Sequence, residues 1–280
     1  MKMKIKRNLK VKLINELFEL RDSRNEIESF TNNFLINFSY RHYFMSSLLE
    51  DYKDKKLENK TVLEVASSYY LSSLVTCWET YFRDVFVLVC DIDNKIQEKI
   101  KSILDEKQIS LEEIKKQNIS ISEFMSKQYN FQDLKQITNA LNFLFDMDFN
   151  NIADYVYTEF EKVHLFRNIN FLIYWYKDKE TFKKNVNETL NEIFRIRHRV
   201  THDANYRFKI DSEFMTKADD CILMIPQYIS GLICEKYNLD RLRARIEEDN
   251  MITISKEKED EYVPYIVTIK DLNAKYYIED

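Results

Sequence analysis

From about Leu9 to Tyr52, apolar residues return every three or four positions. Leu13, Ile14, Leu17 and Leu20 share one stripe, and Phe30, Phe34, Phe38 and Phe44 thicken the later turns. That period puts side chains on one face of an α-helix, and an aromatic stripe of this kind predicts core. The polar run Lys53–Lys60 interrupts it as a connector, with Asn59 placed to cap a long helix over Thr61–Cys90. Along that helix Tyr70, Leu74, Cys77, Tyr81, Val85 and Leu88 form a continuous apolar stripe. Glu79 lies off the stripe, facing either solvent or a cleft.

Two S-x-x-E boxes, Ser110–Glu113 and Ser120–Glu123, each predict the start of a short helix. Helical spacing returns over Phe131–Phe145 and Ile152–Phe166, whereas Phe171–Tyr176 reads as a packed connector, either a strand or a buried helical turn. Long helices follow over Glu180–Thr201 and Ser212–Tyr237, the second capped by Ser212. Beyond Asn238 the pattern changes. Arg241–Glu248 is charged and reads as a helix end, while Met251–Ser255 and Tyr265–Ile269 have β-branched strand character around the turn Lys256–Asp260. Such a tail forms a hairpin on the core, a dimerisation strand or a docking element for a partner. The organisation predicted is an N-terminal helical extension over 1–58, a helical domain over 59–238 and a β-like tail over 239–280.

Composition sharpens this picture. One Gly and two Pro in 280 residues leave almost no punctuation for hairpins, so an all-α bundle with a short β-like tail is expected. Cys77, Cys90, Cys221 and Cys234 include no C-x-x-C pair and no histidines at zinc spacing, which makes them reduced, buried thiols of a cytoplasmic protein. Ile222–Cys234, the strongest apolar block, is too short to span a bilayer, and the basic N-terminus lacks a signal peptide's apolar core. No membrane role is expected.

Candidate chemistry concentrates in Arg197-His198-Arg199-Val200-Thr201-His202, which holds two of the chain's four histidines. Around it Arg195, Arg197, Arg199, Arg207 and Lys209 face only Asp203, on a chain whose net charge is -5. A basic island on an acidic protein attracts polyanions such as RNA or nucleotides, and it equally serves as a solvated helix face. An imidazole titrating near neutrality transfers protons, and a guanidinium offers a fixed fork of donors to phosphate. RNA is cut without metal when a base removes the 2'-hydroxyl proton, that oxygen attacks the adjacent phosphate and a cation steadies the added charge.

The run from Leu190 to His202 resembles the closing helix of HEPN-superfamily ribonucleases, in which an Arg and a polar residue precede, by three variable positions, a His. Arg197, His198 and His202 occupy those places. Thr76-Cys77-Trp78-Glu79-Thr80-Tyr81-Phe82 is similar to the Trp-Glu-aromatic helix of HEPN families related to the RiboL-PSP group, and the resemblance covers roughly residues 60 to 238. Where many members follow the motif His with Gly, this chain has Asp203, placed to accept from His202 or to cap the next turn.

The resemblance implies a homodimeric endoribonuclease of toxin or phage-defence type, with both copies' motifs lining one cleft. Arg197 would hold the scissile phosphate, His202 would serve as base or acid, His198 would assist and Glu79 would orient one of these groups. Arg195, Arg199 and Arg207 would bind RNA. No cofactor or metal is implied, and an antitoxin or regulatory protein is an expected partner. The alternatives are a non-catalytic HEPN-like RNA- or nucleotide-binding module, and a helical dimeric interaction protein.

Overall fold

Helices form where the apolar period repeats every three to four residues, and they set the architecture. The computed structural model describes residues 30–56, 59–116, 119–163, 171–176, 178–241, 243–246, 252–255 and 263–273. In chain order these hold α1 (Phe30–Lys53), α2 (Lys60–Ile92), α3 (Asn94–Glu106), α4 (Leu111–Lys116), α5 (Ile121–Ser126) and α6 (Leu134–Phe145). Next come α7 (Ile152–Val163), α8 (Phe171–Trp175), α9 (Lys179–His202) and α10 (Ser212–Tyr237). Strands β1 (Arg243–Ile246), β2 (Ile252–Ser255) and β3 (Val263–Pro264), then α11 (Ile269–Asn273), complete the described chain. The architecture is all-α with a short C-terminal sheet. The predicted stripe Leu13, Ile14, Leu17 and Leu20 lies outside the described residues.

Local chemistry explains the helix limits. Asn59 Oδ1 accepts from the N–H of Thr61 at 3.0 Å and starts α2. At α5 the capping box closes both ways, Glu123 N–H to Ser120 Oγ at 3.0 Å and Ser120 N–H to Glu123 Oε2 at 2.8 Å. With glycine nearly absent, the left-handed backbone positions among the described residues fall to Lys55, Gln108, Asp146 and Asn238, at φ of 55° to 59°. Asp146 and Asn238 are the C-caps of α6 and α10.

The chain divides into two compact units, one built on Glu79–Asp148 and the other on Thr31–Trp78 with Phe149–Asp280, so the boundary falls within α2. In the first unit, Phe82, Val85, Phe86 and Val89 of α2 are buried, as are Ile96, Ile100 and Leu104 of α3 and Ile137, Leu141 and Leu144 of α6. Phe86 gathers the rings of Tyr129, Phe131 and Phe143, with centroids 5.1 to 6.2 Å away.

The second unit is organised on α10, whose residues from Ala218 to Gly231 are all buried. It packs against α7, α8, α9 and α11. Two carboxylates, Asp219 and Asp220, lie within this apolar stretch. Asp219 is satisfied from two helices: Tyr70 of α2 donates its hydroxyl at 2.6 Å, and His42 Nδ1 of α1 lies 3.4 Å away. Burial, then the Asp219 charge, holds the Tyr70 hydroxyl well above its ordinary pKa.

Four expectations change. Phe34 and Phe38 are buried on α1 as predicted, but Phe44 is 61% exposed; six residues past Phe38 it comes round to another face, and His42 and Met45 take the inner positions. α10 is capped by Asp211, whose Oδ1 accepts from Phe214 N–H at 3.0 Å, so Ser212 is the first helical residue. The region read as a charged helix end contains β1, which pairs antiparallel with both β2 and β3 in the order β2-β1-β3. Finally, Tyr265–Thr268 joins no strand ladder. The buried side chain of Gln227 instead donates to Val267 C=O and accepts from its N–H, both at 2.9 Å, docking this stretch on α10.

Candidate active site

α9 begins at Asp178, whose carboxylate accepts from the N–H of Thr181 at 2.9 Å. Phe182, Val186, Thr189, Leu190, Ile193 and Ile196 form its buried face. At about 100° per residue, His198 and His202 fall roughly opposite Ile196 and are exposed, while Arg197 sits at the margin, half-buried. The burial pattern that seats the helix thus turns the motif outward.

The motif fills the last turns of α9, with His202 its final residue. The rings of His198 and His202 lie 4.5 Å apart between centroids, tilted by 54°. Thr201 Oγ1 donates to the carbonyl of Arg197 at 2.8 Å. Asp203 resolves its two predicted roles as a cap: its N–H donates to Arg199 C=O at 2.8 Å, and its Oδ1 accepts from Asn205 N–H at 2.9 Å. The loop is pinned further on, where Phe208 N–H donates to the buried Ser68 Oγ at 2.8 Å.

The arginines differ in what they hold. Arg195 donates through Nε to Glu192 Oε2 at 2.6 Å and through Nη2 to Glu192 Oε1, and this pairing raises its already high pKa. The Arg199 guanidinium lies 5.4 Å over the ring centroid of Tyr206. Arg207 is exposed on the loop. Arg197 has no carboxylate or aromatic partner for its guanidinium among the described residues.

Glu79 belongs to the first unit, and the other candidate residues belong to the second. Its carboxylate accepts from Arg83 Nη2 at 2.7 Å and from Gln132 Nε2 at 2.6 Å. Arg83 is one turn along α2, whereas Gln132 lies 53 residues away and no spacing announces it. Tyr206 was likewise not singled out by the sequence, because its partner lies across the end of a helix.

Among the described residues no group of three or more His, Cys, Asp or Glu side chains is arranged to hold a metal ion, and no helix is long and apolar enough to cross a membrane. Cys77, Cys90, Cys221 and Cys234 are buried thiols outside any disulfide. Burial pushes Cys77 up to about 11 and also raises Cys90 and Cys221.

The sequence model of the RiboL-PSP-HEPN family matches residues 40–235, which take in the Trp78-Glu79 segment and the whole of α9. No curated protein and no solved structure matches the chain.

Proposed function

Because the chain belongs to the RiboL-PSP-HEPN family, one of nuclease or RNA-related modules, we propose that it is a metal-independent endoribonuclease of toxin or phage-defence type. The observation that carries this reading is the contrast among the arginines. Arg195 is occupied by Glu192 and Arg199 is backed by Tyr206, while Arg197, beside the paired imidazoles, keeps its fork of donors for a phosphate. In the reaction, an imidazole removes the 2'-hydroxyl proton and the oxygen attacks phosphorus. The bond to the 5'-oxygen then breaks, and that oxygen receives a proton, leaving 2',3'-cyclic phosphate and 5'-hydroxyl ends. His202 serves as base or acid, and His198 assists it by hydrogen bonding or proton transfer. Arg197 neutralises charge gathering on the non-bridging oxygens. Arg199 and Arg207 bind flanking phosphates or bases, joined by Arg195 when RNA competes with Glu192. Glu79 takes no step in this scheme: its carboxylate is held within its own unit by Arg83 and Gln132.

The active form in this reading is a cytoplasmic homodimer whose two motifs line one cleft, held in check by an antitoxin or regulatory protein. One helix end supplies few donors for a pentacoordinate phosphate, and a two-fold axis doubles them. The test is incubation of the purified protein with mixed RNA in EDTA. Wild type should cleave, and His202→Ala should lose about a hundredfold or more in rate. Full activity in the variant would overturn the assignment.

A further inference from the structure

We propose that Arg199 and Tyr206 form a stacking subsite for a nucleobase of single-stranded RNA, next to the phosphate held by Arg197; this rests on the ribonuclease reading. Arg199 precedes His202 by three residues, so on a helix the two side chains project within about 60° of one another, less than a turn apart. A base placed at Arg199 therefore belongs to a nucleotide adjoining the one at the imidazoles.

The pair is built for a flat ligand. Arg199 is exposed and Tyr206 half-buried, with 5.4 Å between guanidinium carbon and ring centroid. Tyr206 is the more enclosed member of the pair and Arg199 the more exposed, so the guanidinium is the partner that a ligand arriving from solvent meets. No carboxylate takes up this guanidinium among the described residues, in contrast to Arg195 and its Glu192 fork. The Tyr206 ring also stays in place, because the loop is fixed on both sides of it. Asp203 N–H bonds Arg199 C=O, Tyr206 N–H bonds Asp203 C=O at 3.0 Å, and Phe208 N–H bonds Ser68. Phe208 is itself buried, its ring 5.6 Å from that of Phe214. The stack is thus assembled before RNA arrives, which spares the ordering cost of binding.

Unstacked RNA bases are recognised on aromatic rings and guanidinium planes, and purines offer the larger plane. The subsite should therefore favour a purine beside the scissile phosphate. A loop-pinning role alone for the pair would leave base preference untouched.

The measurement is the fluorescence of 2-aminopurine, a purine quenched by stacking, placed at successive positions of a short single-stranded RNA. The RNA is bound to the full chain carrying His202→Ala, so that it is not cut. One position should be quenched. Adding Arg199→Lys, which keeps charge and loses the plane, or Tyr206→Leu should abolish that quenching and weaken binding by about tenfold; adding Tyr206→Phe should restore both. Arg199 is exposed, so its variant keeps the test open if Tyr206→Leu unfolds. Quenching unchanged in Arg199→Lys and Tyr206→Leu, with wild type cleaving RNA, would overturn the subsite alone. Failure of wild type to bind or cleave RNA would overturn the ribonuclease reading, and the subsite with it.

Discussion

The indole of Trp78 meets the ring of Phe194 edge-on, with centroids 6.0 Å apart and planes at 70°. Trp78 is fully buried, and Phe194 lies one turn before Arg197 and His198 on α9. The contact locks the helix that carries the imidazoles against the helix that carries the Trp-Glu pair. Trp78→Ala should cost about 3–5 kcal/mol, read as a lower urea midpoint. Retention of the wild-type midpoint would show that the indole contributes little to seating α9.

Arg197→Lys separates geometry from charge. An ammonium cannot reproduce a bidentate fork on phosphate, so cleavage should fall while the thermal midpoint stays close to wild type, because no carboxylate among the described residues depends on Arg197. Unfolding of this variant would instead mark Arg197 as a structural residue.

Asp219 is the keystone of the second unit's polar core. Asp219→Ala removes the acceptor from the buried Tyr70 hydroxyl and the anion from beside His42, leaving the Tyr70 hydroxyl desolvated without its acceptor. A loss of about 1–3 kcal/mol is expected per unsatisfied group. Asp219→Asn retains an acceptor for Tyr70 and should lose less; equal losses in chemical denaturation would contradict the hydrogen-bond account.

Stability should fall on the alkaline side. Tyr70, Tyr129, Tyr155, Cys77, Cys90 and Cys221 all have folded pKa values raised by burial above ordinary values of 10.0 for tyrosine and 9.0 for cysteine. Below those ordinary values both states keep their protons and the stabilisation is fully present. As pH rises above 9.0, the unfolded chain releases protons that the folded chain retains, so unfolding becomes progressively easier. For Cys77 the loss is complete near pH 11. Thermal midpoints measured from pH 8 to 11 should decline, and Tyr70→Phe should flatten the portion above pH 10. A flat profile would refute the linkage.

Assembly provides the last test. Pairing two basic motif segments across a two-fold axis brings like charges together, and bound RNA phosphate relieves that cost. Sedimentation with and without a non-cleavable RNA should show RNA stabilising the dimer, and high salt should weaken RNA binding more than folding. A fully active monomer at assay concentration would refute the shared cleft.

Helix positions were legible because burial follows the 3.6-residue period: the stripe from Tyr70 to Leu88 is buried, and α9 and α10 fall within a residue or so of their expected limits. The Arg197/His198/His202 cluster was legible because two of four histidines and a basic island coincide on one helix. What escaped was long-range or competitive. Gln132 reaches Glu79 from 53 residues away. At the start of α10, Asp211 and Ser212 are both good caps, and only geometry decides between them. In the tail, β-branched residues gave Tyr265–Ile269 a strand signature, but the Gln227 amide satisfied the backbone that a neighbouring strand would have used. Asp219 also escaped, since nothing in the spacing names Tyr70 or His42 as its partners.

The left-handed turns built without glycine have a consequence for engineering. At Lys55 and Gln108 a side chain sits at φ near 55° to 59°, where the Cβ crowds the following carbonyl, a cost of roughly 1 kcal/mol that glycine avoids. Asp146 and Asn238 are residue types that tolerate this region better. The chain therefore holds unspent thermal tolerance in two connectors, both distant in sequence from the Arg/His motif. A Lys55→Gly, Gln108→Gly double variant should raise the melting temperature by a few degrees while leaving the α9 surface as it is, giving a hardier background in which damaging motif substitutions can still be purified folded.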